Sequence, residues 1–264
     1  RGARPKKTPS RRKAWAPVAA AAPEAFRRYH KSAGARFGAP FSCVDCSMMD
    51  IRTFVGPGFG ENAYLIWRLD GKSAVAVDPG ADALSMIATL ADEHLKLDAV
   101  LLTHAHIDHV EGVAELKRHA NAPVYMHSDD MLLYDHAATQ AAQFGMNIEK
   151  LPPIDRRIAH GHHLNLAGID FHVRHVPGHS PGHVLYYVAE ATVAFVGDVV
   201  FQGSIGRTDL PGGDYQQLMR SIREHVMTLP DETTLFCGHG PATTVRAERA
   251  FNPFIAPMYG GSFA

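Results

Sequence analysis

Cysteine is scarce: Cys43, Cys46 and Cys237 are the only three in 264 residues. Three thiols cannot build a disulfide framework, which separates the chain from small secreted scaffolds and points to a reducing compartment, read as the cytoplasm. Cys43 and Cys46 form a lone CxxC without a second pair, so a zinc knuckle is not expected there. There is no run of about 18 apolar residues of the kind that crosses a membrane as a helix. No internal repeat marks a solenoid. A secretory signal is also missing, because the apolar run 18–22 is too short for one.

Net charge is small as well, −1 with histidine neutral, but it hides two unlike segments. Residues 1–47 carry 11 Lys and Arg against Glu24 and Asp45, a balance of +9, and the remainder carries 15 against 25, a balance of −10. The basic segment is rich in Pro and Ala, poor in large aliphatics and without a sustained apolar period, so it is expected to be disordered. Its composition suits an organelle transit peptide, with import as the consequence, and its charge suits a nucleic-acid contact. The plainer reading is a dispensable leader or sequence upstream of a start at Met48 or Met49. That reading is preferred because regular strand pattern begins at once with "MDIRTFV". The expected organisation is a basic segment over 1–48 and one folded domain over 49–264.

What the chain has in excess is histidine: 17 residues, all but His30 after residue 90. They fall in a part whose pattern alternates strands and helices. Apolar runs at 63–69 and 74–78 predict a hairpin, and the spacing of apolar residues at 84, 87, 91 and 95 predicts a helix with one buried face. A buried strand at 98–103 should lead into a helix over 109–120 and a strand at 123–127. Further strands are expected near 162–166, 169–176, 183–188 and 192–197, then a helix near 214–227 and a last strand in "TTLFCGHGP". Mixed strands and helices of this kind predict helices packed outside two sheets.

The stretch "LLTHAHIDHVEG", 101–112, sets three histidines and an aspartate within six positions directly after an apolar strand. His104 and His106, two apart on extended backbone, point the same way. Asp108 and His109 open the next helix, where the turning chain aims them at a neighbouring point. Imidazole nitrogen with carboxylate oxygen suits zinc, and iron or manganese accept the same donors. Three later fragments repeat the placement at strand ends: His179 in "HVPGHSPGHV", Asp198 in "AFVGDVV" and His239 in "FCGHGP". Each alone is weak, because a single loop histidine is usually just solvated. Seven ligands together are enough for two metals and too many for one. His175 and His183 flank His179, and His183 is close enough in sequence to approach the site, but neither is assigned as a ligand. The other histidines off these motifs are expected to be surface or filler residues, and Cys237 a small apolar core residue.

HxHxDH followed by the later Gly-His, Gly-Asp and Gly-His-Gly resembles the metallo-β-lactamase-fold hydrolases over nearly all of 49–264. Within them, "FQGSIGRTDLPGGD" and "GHGPATTVRAERAFNPF" resemble the short, single-domain glyoxalase II-like hydrolases. The resemblance implies an α/β fold, an αββα four-layer sandwich with a dinuclear site at its edge. It assigns His104, His106 and His179 to one metal, Asp108, His109 and His239 to the other, and Asp198 to a bridge between them. Asp78 in "AVDPG" would sit just behind the metals and fix the orientation of a ligand histidine.

The activity implied is thioester hydrolysis of the glyoxalase II type, on S-lactoylglutathione or a related small acyl thioester. Two divalent ions, zinc first, would activate water, with Asp108 orienting it, so no serine or cysteine nucleophile is required. Tyr134 and Phe144 are candidates to line a pocket, and Arg207 either braces its loop against Asp209 or grips a substrate carboxylate. The helical C-terminal domain of full-length glyoxalase II enzymes, which binds the glutathione portion, has no counterpart in the 25 residues after His239. Among rivals, a β-lactamase of this fold ordinarily has cysteine at the position of Asp198, leaving room for weak promiscuous β-lactamase activity. A persulfide dioxygenase has GRTD-like loops but one iron. Nucleic-acid and membrane partners are not expected, and oligomeric state is left open.

Overall fold

The computed structural model describes residues 49–259. The expectations placed on residues 1–48, including the leader and the Cys43 and Cys46 pair, lie outside the described residues. The chain opens with three antiparallel strands, β1 (Met49–Val55), β2 (Asn62–Arg68) and β3 (Ser73–Val77). Helix α1 (Ala83–Asp92) returns the chain so that β4 (Lys96–Leu101) lies parallel to β3. Two short helices, α2 (Ile107–Val110) and α3 (Val113–His119), precede β5 (Val124–His127). Helices α4 (Met131–Asp135) and α5 (Ala137–Gln143) then precede β6 (Arg156–Ile158). Together these strands form one six-stranded sheet in the order β1-β2-β3-β4-β5-β6.

The second sheet begins with an antiparallel meander, β7 (His163–Leu166), β8 (Ile169–His175), β9 (Val184–Val188) and β10 (Val193–Gly197). A two-strand ribbon, β11 (Val200–Phe201) and β12 (Ser204–Ile205), and helix α6 (Tyr215–Ser221) follow. Strand β13 (Thr234–Cys237) returns parallel to β10, and β14 (Thr243–Thr244) leads into helix α7 (Val245–Phe251). This sheet runs β14-β13-β10-β9-β8-β7.

Three apolar clusters define the layers. Between the sheets, Tyr64, Ile66, Val75 and Leu101 from one face meet Phe171, Val173, Tyr186 and Phe195 from the other. On the outer face of the first sheet, Leu65, Trp67 and Val100 pack under Met86, Leu90 and Leu116 of the helices. On the outer face of the second, Ala194, Val196 and Leu235 pack under Leu218 of α6 and Val245 of α7. The alternating side chains of β2 feed different clusters, which is why this strand reads as a nearly continuous apolar run. Burying each such large side chain contributes about 1.5–3 kcal/mol. The result is the four-layer αββα sandwich that the motifs implied.

Two local expectations need correction. The helix expected over 109–120 is two pieces, broken around Glu111 and Gly112. A Cβ on Gly112 would lie 2.2 Å from the carbonyl oxygen of Gly80, and the Gly112 N–H donates to the Pro79 carbonyl at 2.9 Å. The chain therefore presses onto the loop after β3 instead of continuing one spiral. The strand in "TTLFCGHGP" is also not the last, because β14 pairs with β13 after it. The helix expected near 214–227 begins on Asp214, whose carboxylate accepts from the Gln217 N–H at 2.9 Å, and continues through a wider π turn to Val226.

Candidate metal centre

The site is built where β3, β4, β10 and β13 end and three loops meet. Beyond β4, Asp78 fixes the first loop: its carboxylate accepts from Thr103 N at 2.7 Å and from Thr103 Oγ1 at 2.6 Å. Asp78 has φ 47°, the left-handed region that aspartate tolerates better than most residues. Because the Thr103 hydroxyl hydrogen goes to Asp78, the 3.0 Å contact between Thr103 Oγ1 and His104 Nδ1 puts a proton on Nδ1 and the lone pair on His104 Nε2. His109 Nδ1 lies 3.2 Å from Asp78 Oδ2, which likewise turns the His109 Nε2 lone pair inward.

His179 sits at the tip of the loop between β8 and β9. Its Nδ1 donates to the carbonyl of Arg207 at 2.8 Å, so its Nε2 is the free acceptor and faces His106 Nδ1, also at 2.8 Å. Asp198 follows β10 and His239 follows β13. Glycine is required here by space: a Cβ on Gly238 would lie 2.0 Å from Asp198 Oδ1, and Gly197 has φ 49° with Thr103 Oγ1 2.4 Å from its missing Cβ. The Gly that precedes each ligand in "VGD" and "CGHG" is thus a clearance requirement of the site.

All seven motif residues converge. Donor atoms of His104, His106 and His179 lie within 4.8 Å of one another, as do those of Asp108, His109 and His239. Asp198 stands between the groups: Oδ2 is 3.5 Å from His179 Nε2 and 3.5 Å from His239 Nε2, and Oδ1 is 3.4 Å from His109 Nε2. The His239 Nε2 atom is 3.2 Å from Asp108 Oδ2. The first group is deeply buried, whereas the His239 side chain keeps 29% exposure, so the second group faces the open edge.

The electrostatics call for cations. Burial pushes the His104 imidazole well below the usual histidine value and His106 down to about 3, so both hold lone pairs. Burial opposes charge on Asp198 and His109 too. His109 nevertheless holds the Asp198 carboxyl well below the usual range, and Asp108 and Asp198 raise His109 well above its own. His239, despite burial, is raised to about 10 by the same two carboxylates. Protons are therefore held where divalent ions would replace them. His104 Nε2, His109 Nε2 and Asp198 Oδ1 are buried with no hydrogen-bond partner. Three unpartnered polar atoms in one buried cluster are costly unless a cation binds them, taking the place of the proton on His109, and the donor set fits two.

The three suggested substrate contacts come out differently. Tyr134 is a core residue with its hydroxyl donating to the Pro152 carbonyl at 2.9 Å. Phe144 is exposed and packs edge-to-face on Phe59, ring centres 5.0 Å apart. The Arg207 guanidinium makes a two-pronged pair with Asp209 at 2.7 and 2.8 Å, the bracing alternative. What the GRTD loop brings to the centre is the Arg207 carbonyl.

Two contributors have no motif of their own. Asp130 is fully buried, accepting from Ala105 N at 3.0 Å, Ser180 Oγ at 2.7 Å and Gly182 N at 2.6 Å. It ties the His104–His106 loop to the His179 loop. His183 is fully buried and stacks on His104 with centroids 4.6 Å apart. The one sequence signal was the repeated Gly-His of "GHSPGH"; Asp130 gave none.

Comparison with known proteins agrees with this geometry. The model of the metallo-beta-lactamase superfamily matches residues 56–239. The hydroxyacylglutathione hydrolase GloC of Haemophilus influenzae is 40% identical over 209 residues, covering 78% of this chain and 98% of that protein. The crystal structure of BLEG-1 B3 metallo-beta-lactamase is similar with TM-score 0.74 and 40% identity, over 78% of this chain and 99% of that one. TTHA1623, solved in a di-iron-bound form, gives TM-score 0.71 and 41% identity, over 77% and 99%.

Proposed function

The chain belongs to the metallo-beta-lactamase superfamily, and from that premise we propose that it is a dinuclear hydrolase of small acyl thioesters, of the hydroxyacylglutathione hydrolase type. The observation that carries the reading is the position of Asp198 between two three-residue donor groups, together with the likeness to GloC. His104, His106 and His179 would hold one ion, Asp108, His109 and His239 the other, and Asp198 both. Zinc is the proposed occupant, since nitrogen and carboxylate donors in this number suit it. The di-iron form of TTHA1623 makes iron the competing one.

When bound, such ions polarise a carbonyl and bring the pKa of water near neutrality. The protein's own share is position and exclusion. Neither the Ser180 hydroxyl, which is engaged with Asp130, nor the buried Cys237 thiol, which is pushed up by its burial, is a ready nucleophile. Asp108, at the open edge with Oδ2 toward His239, is placed to orient the attacking water. A thiolate leaves without a proton donor, so the reaction asks for no dedicated general acid. The small-molecule substrate needs no membrane; among the described residues no helix is long and apolar enough to cross one.

A second reading, β-lactam hydrolysis, is favoured by the likeness to BLEG-1. The test is elemental analysis of the purified protein with kcat and KM across a thioester panel and, beside it, penicillins and cephalosporins. Two ions per chain, with S-lactoylglutathione hydrolysed at weak saturation and other small acyl thioesters competing, is the expected result. Faster β-lactam than thioester turnover would install the second reading, and one tightly bound iron without a second ion would favour a dioxygenase.

A further inference from the structure

Outside the centre described above, one further set of donors is brought together among the described residues: His127, Asp129 and His175, with one ligand atom of each within 4.8 Å of the others. His127 ends β5 of the first sheet and His175 ends β8 of the second, so the set spans the sandwich at an edge. Their rings are stacked, centroids 4.1 Å apart and planes 9° from parallel. Two imidazoles so placed pack adequately while neutral, and nothing in packing alone calls for a carboxylate beside them.

The hydrogen bonds fix which nitrogens carry lone pairs. His175 Nε2 lies 2.8 Å from the Pro181 carbonyl oxygen. A carbonyl only accepts, so Nε2 carries the proton and Nδ1 keeps the lone pair. This is the arrangement of a metal-ligating histidine, one nitrogen anchored to backbone and the other free. His127 Nδ1 accepts from the Asp129 N–H at 3.2 Å, so its lone pair is on Nδ1, in a bond at the long end of the range. Asp129 Oδ2 lies 3.8 Å from that same nitrogen on an exposed side chain. Donors around one zinc-sized ion sit roughly 3.3 Å apart at bond lengths of about 2.0–2.1 Å. Closing the set takes release of the Asp129 N–H from His127 Nδ1, a shift of the exposed Asp129 carboxylate, and rotation of the two rings out of their parallel stack so that both lone pairs meet one ion. Burial, and then His175, pull the His127 imidazole below the usual value, which keeps it a neutral donor. Asp129 is exposed, so the set is open to solvent on its side.

We propose that His127, Asp129 and His175 bind one divalent transition-metal ion, distinct from those of the seven-residue centre. Two imidazole nitrogens and one carboxylate oxygen suit zinc, cobalt or nickel, with solvent completing the shell. The ion would cross-link β5 to β8. It would sit beside Asp130, which follows Asp129 directly and holds the His179 loop in place. Its role is therefore structural, tightening the frame on which the catalytic loops rest.

The proposal does not depend on the reading of the main centre, because its test counts a difference. Holoprotein is titrated with Zn2+ or Co2+ in a calorimeter, and bound metal is counted after gel filtration at fixed free metal. Asp129→Ala, which alters an exposed side chain, and His175→Gln are compared with the wild type. The wild type should bind one more ion per chain than either variant, and added metal should raise its thermal midpoint but not theirs. His163→Gln, which alters another closely spaced histidine pair with His172, should behave as wild type. Equal ion counts and affinities in wild type and Asp129→Ala would overturn the site, whatever His175→Gln does to folding. Equal loss in His163→Gln would also overturn it, by showing diffuse binding to surface histidines.

Discussion

The backbone N–H of Asp198 donates to Nε2 of His183 at 3.1 Å. Acceptance at Nε2 places the His183 proton on Nδ1, which is buried without a partner. His183 is therefore a support for the carboxylate between the two donor groups, not a ligand, although its ring lies against His104. His183→Phe keeps a ring in that space and removes the acceptor. An unpaired buried N–H costs about 1–3 kcal/mol, so unfolding by urea should show a loss of that size, with metal more easily stripped and turnover reduced. Unchanged stability and metal retention would show that the bond does not hold Asp198.

Asp198→Ala should be more damaging than loss of any terminal donor. Its two oxygens approach His179, His239 and His109 at 3.4–3.5 Å, so both donor groups lose their shared partner. Near-complete loss of activity is expected, with metal lost and far-UV circular dichroism unchanged. His239→Ala, at the exposed end, should lose less metal. A variant that keeps two ions and substantial turnover would rule out Asp198 as the bridge.

How much of this was readable in the sequence depends on how local each contact is. HxHxDH is a six-residue pattern, and the glycines beside Asp198 and His239 mark strand ends, so all seven residues could be named without coordinates. Asp130 could not: its partners Ala105, Ser180 and Gly182 are 25 to 52 positions away, and no local pattern encodes them. Arg207 was considered for its guanidinium, whereas its carbonyl, which every residue carries, meets His179. The break at Gly112 has the same origin, because the obstacle is the Gly80 carbonyl on another loop. Tyr134 shows the converse, since it was a candidate to line a pocket and packs in the core instead.

Asp130→Asn tests the tie between the two ligand loops. The carboxylate accepts three donors, and an amide retains one accepting oxygen while turning an NH2 toward the remaining donor. With the oxygen kept toward Ala105 and Ser180, the Gly182 N–H loses its acceptor, at a cost of about 1–3 kcal/mol. Denaturation midpoints should fall accordingly, and metal-bound and metal-stripped protein should both show the loss. A loss confined to the metal-bound form would mean that Asp130 acts on the ions and not on the loops.

The final expectation concerns acid. Burial, and then the neighbouring His163, hold the His172 imidazole below its ordinary value, and burial with His160 does the same to His225. Each ring pair is close, with centroids 4.2 and 5.0 Å apart. As pH falls through the ordinary histidine value of about 6.5, the unfolded chain takes up protons that the folded protein refuses until its own lower values are reached. The unfolded state then binds more protons, so stability rises with pH across that window and is lost on acidification from about pH 7 toward pH 5. Replacing both residues, as His172→Gln with His225→Gln, removes two of these refusals. Urea midpoints measured across the window should therefore slope less steeply in the double variant than in the wild type. Acid release of metal acts on both proteins alike and drops out of the difference. Parallel slopes would show that these two rings titrate in the folded protein as they do in the unfolded chain, and that the acid sensitivity of the fold resides elsewhere.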